Sequence, residues 1–344
     1  MALADLGANV LRIARPTKGG ASKFNPVLDR GRCGQIALDM KSEDGRDQLM
    51  KLLDQADVLI EGYRPGVMER LGLGPSECLA RNPRLIYGRI TGWGREGPLA
   101  HTAGHDINYI ALSGALHACG NAESGPFPPL NLVGDFGGGG LLLTLGIACA
   151  LFESRISGRG QVVDAAMVDG ASMLMSMIYG LRANGRWPAQ RAGNILDGSA
   201  YFYTCYPCAD GKWVAVGAIE ADFRLALFEG LGIASDTKIL MQVRDDDPQV
   251  RARIAAIFAS QPREHWQRVF ESTDACVTPV LSIDEAADHP HNIAMGSVRR
   301  IQGANHPAPA PRFSRTPATT PDEQQTRELI SQWQLEDAAL LPLG

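Results

Sequence analysis

The chain has 344 residues, of which 45% are hydrophobic and 21% are charged, and its formal net charge is −5. This length suffices for one large domain and a smaller one, and the acidic balance excludes the basic surface of a typical nucleic-acid-binding protein. The seven cysteines are odd in number and scattered, which favours free thiols in the reducing cytoplasm. We expect no membrane partner either, because no uninterrupted apolar segment reaches membrane-spanning length.

The first half of the chain alternates short apolar runs with stretches of helical periodicity. This alternation is typical of βαβ units around a parallel sheet, so the sequence predicts an α/β fold. The predicted strands are Val10–Ile13, Gln35–Leu38, Val58–Glu61 and Leu85–Ile90, and the predicted helices between them are Asp44–Gln55 and Pro75–Asn82.

Two short segments place an acid/base side chain beside glycine. His105 follows Gly104, and Asp135 follows Gly134 shortly before the apolar run Leu141–Phe152, which predicts a buried helix. An aspartate at such a helix start is most simply an N-cap, and the helix dipole favours its ionised form. The alternative is chemical: a histidine and an aspartate facing each other across a cleft could move a proton on and off a substrate.

The second half of the chain predicts a different unit. Ala165 to Ala183 is interpreted as one long helix, and an Asp-Gly turn joins the hairpin strands Tyr201–Cys208 and Trp213–Gly217. Two helices follow, then a proline-rich linker and a terminal helix. These three helices are Asp222–Gly230, Asp247–Ser260 and Asp322–Trp333.

The pattern of elements predicts the domain boundaries. They are a large domain at 1–185, a linker at 186–200, a small α+β domain at 201–303, a linker at 304–315, and a return to the large domain at 316–344.

Two motifs that suggest other chemistry are set aside. Cys205 and Cys208 have the spacing of half a zinc site, but no second Cys/His pair follows at the required distance. The glycine run Gly137–Gly140 lacks the Lys-Ser/Thr ending of a phosphate loop. We therefore predict no metal site and no nucleotide cofactor.

Over nearly its whole length the chain resembles the family III CoA-transferases (the CaiB/BaiF superfamily), and within them the α-methylacyl-CoA racemases. The racemase resemblance depends chiefly on His105. The matching motifs are Ala4–Ala8, Arg12–Pro16, Asp57–Val67, Arg89–Gly94, Ala103–Tyr109, Asn131–Phe136, Gly160–Gly170 and Cys276–Val280.

The resemblance implies a Rossmann-like large domain, a smaller α+β domain, and two chains interlocked as a homodimer. It also implies that the first strand of the large domain, and the loop after it, are missing from this chain, because Met1 falls inside the helix that follows them in the family. The implied reaction interconverts (2R)- and (2S)-2-methylacyl-CoA thioesters through an enolate, with His105 serving one epimer and Asp135 the other. Glu220 and Asp106 would orient or polarise these groups. No separate cofactor is needed, since coenzyme A is part of the substrate.

Further roles follow from the same resemblance. Arginines suit the phosphates of coenzyme A, because their guanidinium groups bind phosphate bidentately. The implied CoA-binding residues are Arg15, Arg64, Arg70 and Asn131, with Lys41 and Arg32 as weaker candidates. Exposed arginines are, on the other hand, most often only solvated. Met173 and Met177 lie in a methionine-rich helix, which could be core or a surface that accepts varied acyl chains.

Two alternative functions stay open at this point. In a CoA-transferase the aspartate matching Asp135 would be a nucleophile, and His105 argues against this because transferases of the family usually carry a non-basic residue there. The third possibility is an inactive, truncated protein that only binds coenzyme A or dimerises. The acyl group that is used is not indicated by the sequence.

Overall fold

The computed structural model describes two compact units. The large unit contains Met1–Ile110, Asn131–Leu174 and Ala287–Gly344, and the small unit contains Ala111–Leu130 and Met175–Ala286. These bounds differ from the predicted domains, because the small unit begins at Met175 and also takes in residues 111–130. The residues described are 1–16, 25–121, 125–301, 303–318 and 340–341.

The mixed α/β class is confirmed, and the four strands predicted in the first half are all present. In the large unit β3, β4 and β7 form a parallel sheet in that order, β1 pairs in parallel with β2, β13 adds antiparallel to β2, and β11 and β12 form a hairpin. In the small unit β10, β9 and β8 form an antiparallel sheet and β5 pairs with β6. The strands are β1 (Val10–Ala14), β2 (Arg32–Ala37), β3 (Val58–Glu61), β4 (Ile86–Thr91), β5 (Gly120–Asn121), β6 (Gly125–Pro126), β7 (Val162–Ala166), β8 (Tyr203–Pro207), β9 (Trp213–Gly217), β10 (Val277–Val280), β11 (Val298–Ile301), β12 (Ala304–Pro307) and β13 (Leu340–Leu341).

Helices connect and cover these strands. A π-helix, Leu132–Leu141, runs directly into α7, and a short 3₁₀ turn, Ala234–Asp236, precedes α11. The α-helices are α1 (Ala2–Asp5), α2 (Glu43–Leu53), α3 (Val67–Arg70), α4 (Pro75–Arg81), α5 (Asp106–Leu112), α6 (Ala115–Ala118), α7 (Leu142–Ser157), α8 (Met167–Leu174), α9 (Ser176–Ala183), α10 (Ala221–Gly230), α11 (Thr237–Leu240), α12 (Pro248–Phe258), α13 (Arg263–Phe270), α14 (Ile283–Asp288) and α15 (Pro290–Met295).

Three predictions in the second half are corrected or left open. The predicted helix Ala165–Ala183 is wrong at its start, because Ala165 and Ala166 belong to β7 and pair with β4; α8 and α9 follow as separate helices. The predicted linker 304–315 is wrong at its start, since Ala304–Pro307 is strand β12. The predicted helix Asp322–Trp333 lies outside the described residues.

Helix α7, together with Leu141 at the end of the π-helix, carries two apolar stripes. One is buried, because Leu143, Ile147 and Ala150 pack on Ile86 and Ala165 of the parallel sheet. The other, made of Leu141, Leu145, Phe152 and Ile156, recurs at helical spacing and stays 60–75% exposed. By length and composition alone, the combined helix Leu132–Ser157 could also cross a membrane. Core helices of proteins outside the membrane meet the same two criteria.

The π-helix is fixed by main-chain contact with α8. A Cβ at Gly170 would lie 1.9 Å from the carbonyl oxygen of Gly138, and a Cβ at Gly138 would lie 2.6 Å from the nitrogen of Ala171. The two helices therefore cross with their backbones touching, which only glycine permits at these positions. The π-helix is thus held against α8, the helix that directly follows strand β7 of the parallel sheet.

Candidate active site

His105 lies in the turn that begins helix α5. Its side chain is exposed, and its backbone N–H donates to the side-chain oxygen of Asn108 at 3.0 Å. The backbone N–H of Asn108 donates in return to the His105 carbonyl at 2.8 Å. These two reciprocal hydrogen bonds cap the start of the helix. They use only the backbone of His105, so the imidazole takes no part in the cap.

Asp135 lies within the first turn of the π-helix, so the simpler alternative, that it is the N-cap, does not hold. The helix begins at Leu132, three residues earlier, and the glycine run continues it instead of leading into it. The Asp135 side chain is half-buried and accepts a hydrogen bond from Asn131 at 3.1 Å. Asn131 therefore contacts the proposed base directly, and π-helical segments often occur at functional sites.

Asp106 is the residue that caps this helix. Its Oδ2 accepts the backbone N–H of Gly134 at 2.7 Å and that of Asp135 at 2.8 Å, and Asp106 is only 5% exposed. A Cβ at Gly134 would lie 2.6 Å from the same oxygen, so glycine is needed there. Because Asp106 directly follows His105, this carboxylate connects the turn that carries His105 to the start of the helix that carries Asp135.

Tyr109 is a site residue that sequence analysis did not single out, although it ends the motif that carries His105. Burial raises the pKa of the Tyr109 phenol, Asp135 raises this pKa further, and Arg64 lowers it. Arg64, a predicted CoA-binding residue, and Asp135 thus act in opposite directions on the pKa of the same phenol.

An ion-pair network fixes the loop that carries Arg64. Buried Arg89 of β4 pairs with Glu61 of β3 at 3.2 Å and with Glu69 of α3 at 2.6 Å, and Arg95 pairs with Glu69 at 2.7 Å. Glu61 also accepts the backbone N–H of Tyr63 at 2.7 Å, and burial raises the pKa of Glu61. The loops after β3 and β4 are thus tied together at the carboxyl ends of their strands, where ligands bind in open α/β sheets.

The predicted CoA-binding arginines are exposed and available. Arg15, Arg64 and Arg70 have no ion-pair partner among the residues that the structure describes, and Lys41 is exposed as well. Arg32, in contrast, pairs with Asp29, and burial lowers its pKa. Arg32 is therefore a poor phosphate ligand.

The remaining predicted residues are exposed but are not gathered at this site by the described contacts. Met173 belongs to the large unit and is 51% exposed. Met177 and Glu220 belong to the small unit; Met177 is 58% exposed, and Glu220 precedes α10 without capping it through its side chain. Their roles stay predictions. Within the described ranges, no group of three metal-ligating side chains occurs.

A profile of CoA-transferase family III matches residues 1–327. The chain belongs to this family. It is 46% identical to the α-methylacyl-CoA racemase of Mus musculus over 319 residues, which cover 92% of this chain and 82% of the relative, and 44% identical to that of Homo sapiens over the same shares. It is also 31% identical to the acetyl-CoA:oxalate CoA-transferase of Acetobacter aceti, over 89% of this chain and 82% of that protein.

Solved structures show the same fold for this family III member. A CaiB/BaiF family protein from Brucella suis superposes with a TM-score of 0.76 at 23% identity, covering 96% of this chain and 93% of that one. Rv3272 from Mycobacterium tuberculosis superposes with a TM-score of 0.73 at 22% identity, covering 93% and 89%. At these identities the likeness supports the fold alone.

Proposed function

We propose that this chain is an isomerase that interconverts (2R)- and (2S)-2-methylacyl-CoA thioesters. One observation supports the proposal above the others: the buried carboxylate of Asp106, the residue after His105, accepts the backbone N–H groups of Gly134 and Asp135. The identity of 46% to an α-methylacyl-CoA racemase over 92% of the chain supports it.

The proposed reaction moves one proton from one face of C2 to the other. For one epimer the neutral imidazole of His105 takes the α-proton, the C–H electron pair passes into the enolate of the thioester, and Asp135 in its protonated form returns a proton to the opposite face. The other epimer uses the two groups in reverse, and exchange with solvent resets both. Each direction of the reaction therefore needs one of the two groups deprotonated, to take the α-proton, and the other protonated, to return one.

In this proposal the exposed arginines hold the nucleotide and diphosphate of the substrate. Arg64 is exposed and lies in the loop after β3, beside the ion pairs that join Arg89 to Glu61 and Glu69. Arg15 and Arg70 follow from the resemblance, and Met173 and Met177 offer an adaptable apolar surface to the acyl chain. Orientation of the imidazole by Glu220 is part of the same proposal.

We further propose that the chain is a homodimer. The exposed stripe of α7, made of Leu141, Leu145, Phe152 and Ile156, supports this, because burying each such side chain is worth roughly 1.5–3 kcal/mol. Contiguous exposed apolar surface marks an interaction site in most proteins that are not membrane-embedded. A second copy of the chain is the occupant that the family resemblance implies.

Proton exchange tests the proposal and separates it from the transferase alternative. The chain is incubated in D₂O with each epimer of a 2-methylacyl-CoA, and the α-proton is followed by NMR. We expect exchange from both epimers and convergence on one mixture. His105→Ala should stop racemisation but leave exchange of the epimer that Asp135 serves, and Asp135→Asn should leave exchange of the other, each with a loss of about 100-fold or more in racemisation.

Two results would reject the racemase proposal. Transfer of CoA from the thioester to an added free carboxylate, with release of the 2-methyl acid and without α-proton exchange, would instead assign Asp135 as a nucleophile. Equal racemisation by His105→Ala and the unchanged chain would show that the imidazole is not one of the bases.

A further inference from the structure

We propose that Tyr109 is a positioning residue for His105, holding the turn before it through a hydrogen bond that no other described side chain supplies. The inference rests on the proposed function, and it concerns a residue to which neither the sequence analysis nor the comparisons assign a role.

The Tyr109 hydroxyl makes one short contact with the backbone. The Tyr109 hydroxyl donates to the carbonyl oxygen of Gly104 at 2.5 Å, and Tyr109 is only 8% exposed. That carbonyl belongs to the peptide group joining Gly104 to His105, so the bond fixes the orientation of the peptide plane that precedes His105. On the other side, the backbone N–H groups of Asn108 and Tyr109 both donate to the His105 carbonyl, at 2.8 Å and 3.3 Å.

Aromatic packing fixes the phenol itself. The Tyr109 ring meets the ring of Trp93 edge to face, with 4.8 Å between the ring centroids. A Cβ at Gly92 would lie 2.1 Å from Tyr109, and a Cβ at Gly104 would lie 2.7 Å from Tyr109 and 2.8 Å from Trp93. Glycine at both positions therefore makes room for the two rings. The pair attaches the His105 turn to the loop that follows β4.

The phenol keeps its proton at neutral pH. Burial raises its pKa, and the negative charge of Asp135 acts in the same direction, against the smaller opposite effect of Arg64. The hydroxyl is therefore a permanent donor to the Gly104 carbonyl across the pH range in which an imidazole of ordinary pKa titrates.

The two proposed bases consequently have separate supports. Asp106 holds the backbone of Asp135, whereas Tyr109 holds the turn before His105. Loss of one support should then impair one direction of proton transfer more than the other. A general loss of folding would impair both directions equally, so the ratio of the two exchange rates separates the two explanations.

The test uses Tyr109→Phe in the full chain, with Tyr87→Phe as the matched control. Tyr87 is also buried, and its hydroxyl also donates to a backbone carbonyl, that of Leu73 at 2.8 Å. We expect Tyr109→Phe to slow α-proton exchange about tenfold for the epimer that His105→Ala stops exchanging, and less than about twofold for the other epimer. Tyr87→Phe should leave the ratio of the two rates unchanged.

A second readout does not depend on activity. The chain is labelled with ¹³C-histidine, and the imidazole signal of His105 among the seven histidines is assigned with His105→Ala. Tyr109→Phe should shift that signal more than any other, and Tyr87→Phe should not shift it. An unmoved His105 signal, or an equal slowing of both epimers, would overturn the positioning role. Absence of exchange in the unchanged chain would reject the racemase proposal alone, because the imidazole signal still tests Tyr109.

Discussion

Asp106 accepts a hydrogen bond from the backbone N–H of Asp135 at 2.8 Å, across 29 positions of sequence. The bond is made by a carboxylate that is almost fully buried and that also accepts the N–H of Gly134. Charged acceptors at the start of a helix are favoured because the unpaired N–H groups and the helix dipole both attract them. The position of one proposed base therefore depends on the neighbour of the other.

Asp106→Ala should lower the free energy of unfolding by about 2 kcal/mol, because two helix N–H groups lose their acceptor. It should also slow α-proton exchange of the epimer that Asp135 serves by about tenfold or more. Asp106→Asn keeps a carbonyl oxygen, so we expect it to recover much of both losses. Urea denaturation and epimer-resolved exchange measure these effects. An Asp106→Ala protein with unchanged stability and exchange would contradict the capping role.

Gly170→Ala should destabilise the chain by about 1–3 kcal/mol, because its Cβ would lie 1.9 Å from the Gly138 carbonyl and force the helices apart. Gly180→Ala is the matched control, since a Cβ there has no atom within 4 Å; it should be neutral or gain up to about 1 kcal/mol from helix propensity. The melting temperatures of both variants, measured by thermal unfolding, test this difference. Equal melting temperatures would show that the crossing is less tight than described.

Glu69→Gln should remove a pH-dependent part of the stability. Although burial opposes ionisation, hydrogen bonds from its own backbone, Arg89 and Arg95 lower the pKa of Glu69 to about 2. Because the folded pKa lies below the ordinary value, the contribution is complete above about pH 4.5 and is lost as the pH falls toward 2. The carboxylate is partly exposed, so we expect ionised Glu69 to contribute about 1 kcal/mol to the free energy of unfolding at pH 7.

Urea denaturation at a series of pH values measures this contribution. The stability difference between the unchanged chain and Glu69→Gln should shrink toward zero below pH 3. Glu96→Gln serves as the control, because Glu96 is exposed and has no ion pair within the described part of the chain. A difference that stays constant with pH would argue against the ion-pair explanation.

Leu145→Glu should convert the proposed dimer to a monomer. Leu145 lies in the middle of the exposed apolar stripe of α7, and a buried unpaired carboxylate there would cost several kcal/mol of association free energy. Ile283→Glu is the control, because Ile283 is 86% exposed and lies on α14, away from that stripe in sequence. Light scattering after gel filtration gives the masses. A monomeric unchanged chain would reject the dimer.

Strands β1 to β4 could be predicted from the sequence because each is a short apolar run bounded by polar residues or glycine. Strand β7 could not, since its last two residues, Ala165 and Ala166, continue into an apolar helical pattern without a break. Pairing with β4 decides their conformation, and that contact is non-local. The helix at Asp135 was also placed too late, because glycine has poor helix propensity and only the crossing with α8 explains a glycine-rich π-helix.

At the site, His105, Asp106, Asn131 and Asp135 could be predicted because they lie in two motifs of known family order. Their relationship could not be read from those motifs. The contact of Asp106 with Asp135 joins residues 29 positions apart, so no local pattern reveals which of the two aspartates caps the helix. Tyr109 was missed for a similar reason, because a tyrosine on an apolar helix face is ordinarily a core residue.

The contact between Gly138 and Gly170 has a consequence for how new specificities could arise on this scaffold. The helix that carries Asp135 is located by a backbone contact that needs glycine at both positions, whereas Met173 of α8 is 51% exposed. If the proposed function holds, substitutions at Met173 would change which acyl chains are accepted while Asp135 keeps its place. The proposal thus puts chemistry and selectivity in separate parts of the same helix pair, so that one could change while the other is inherited.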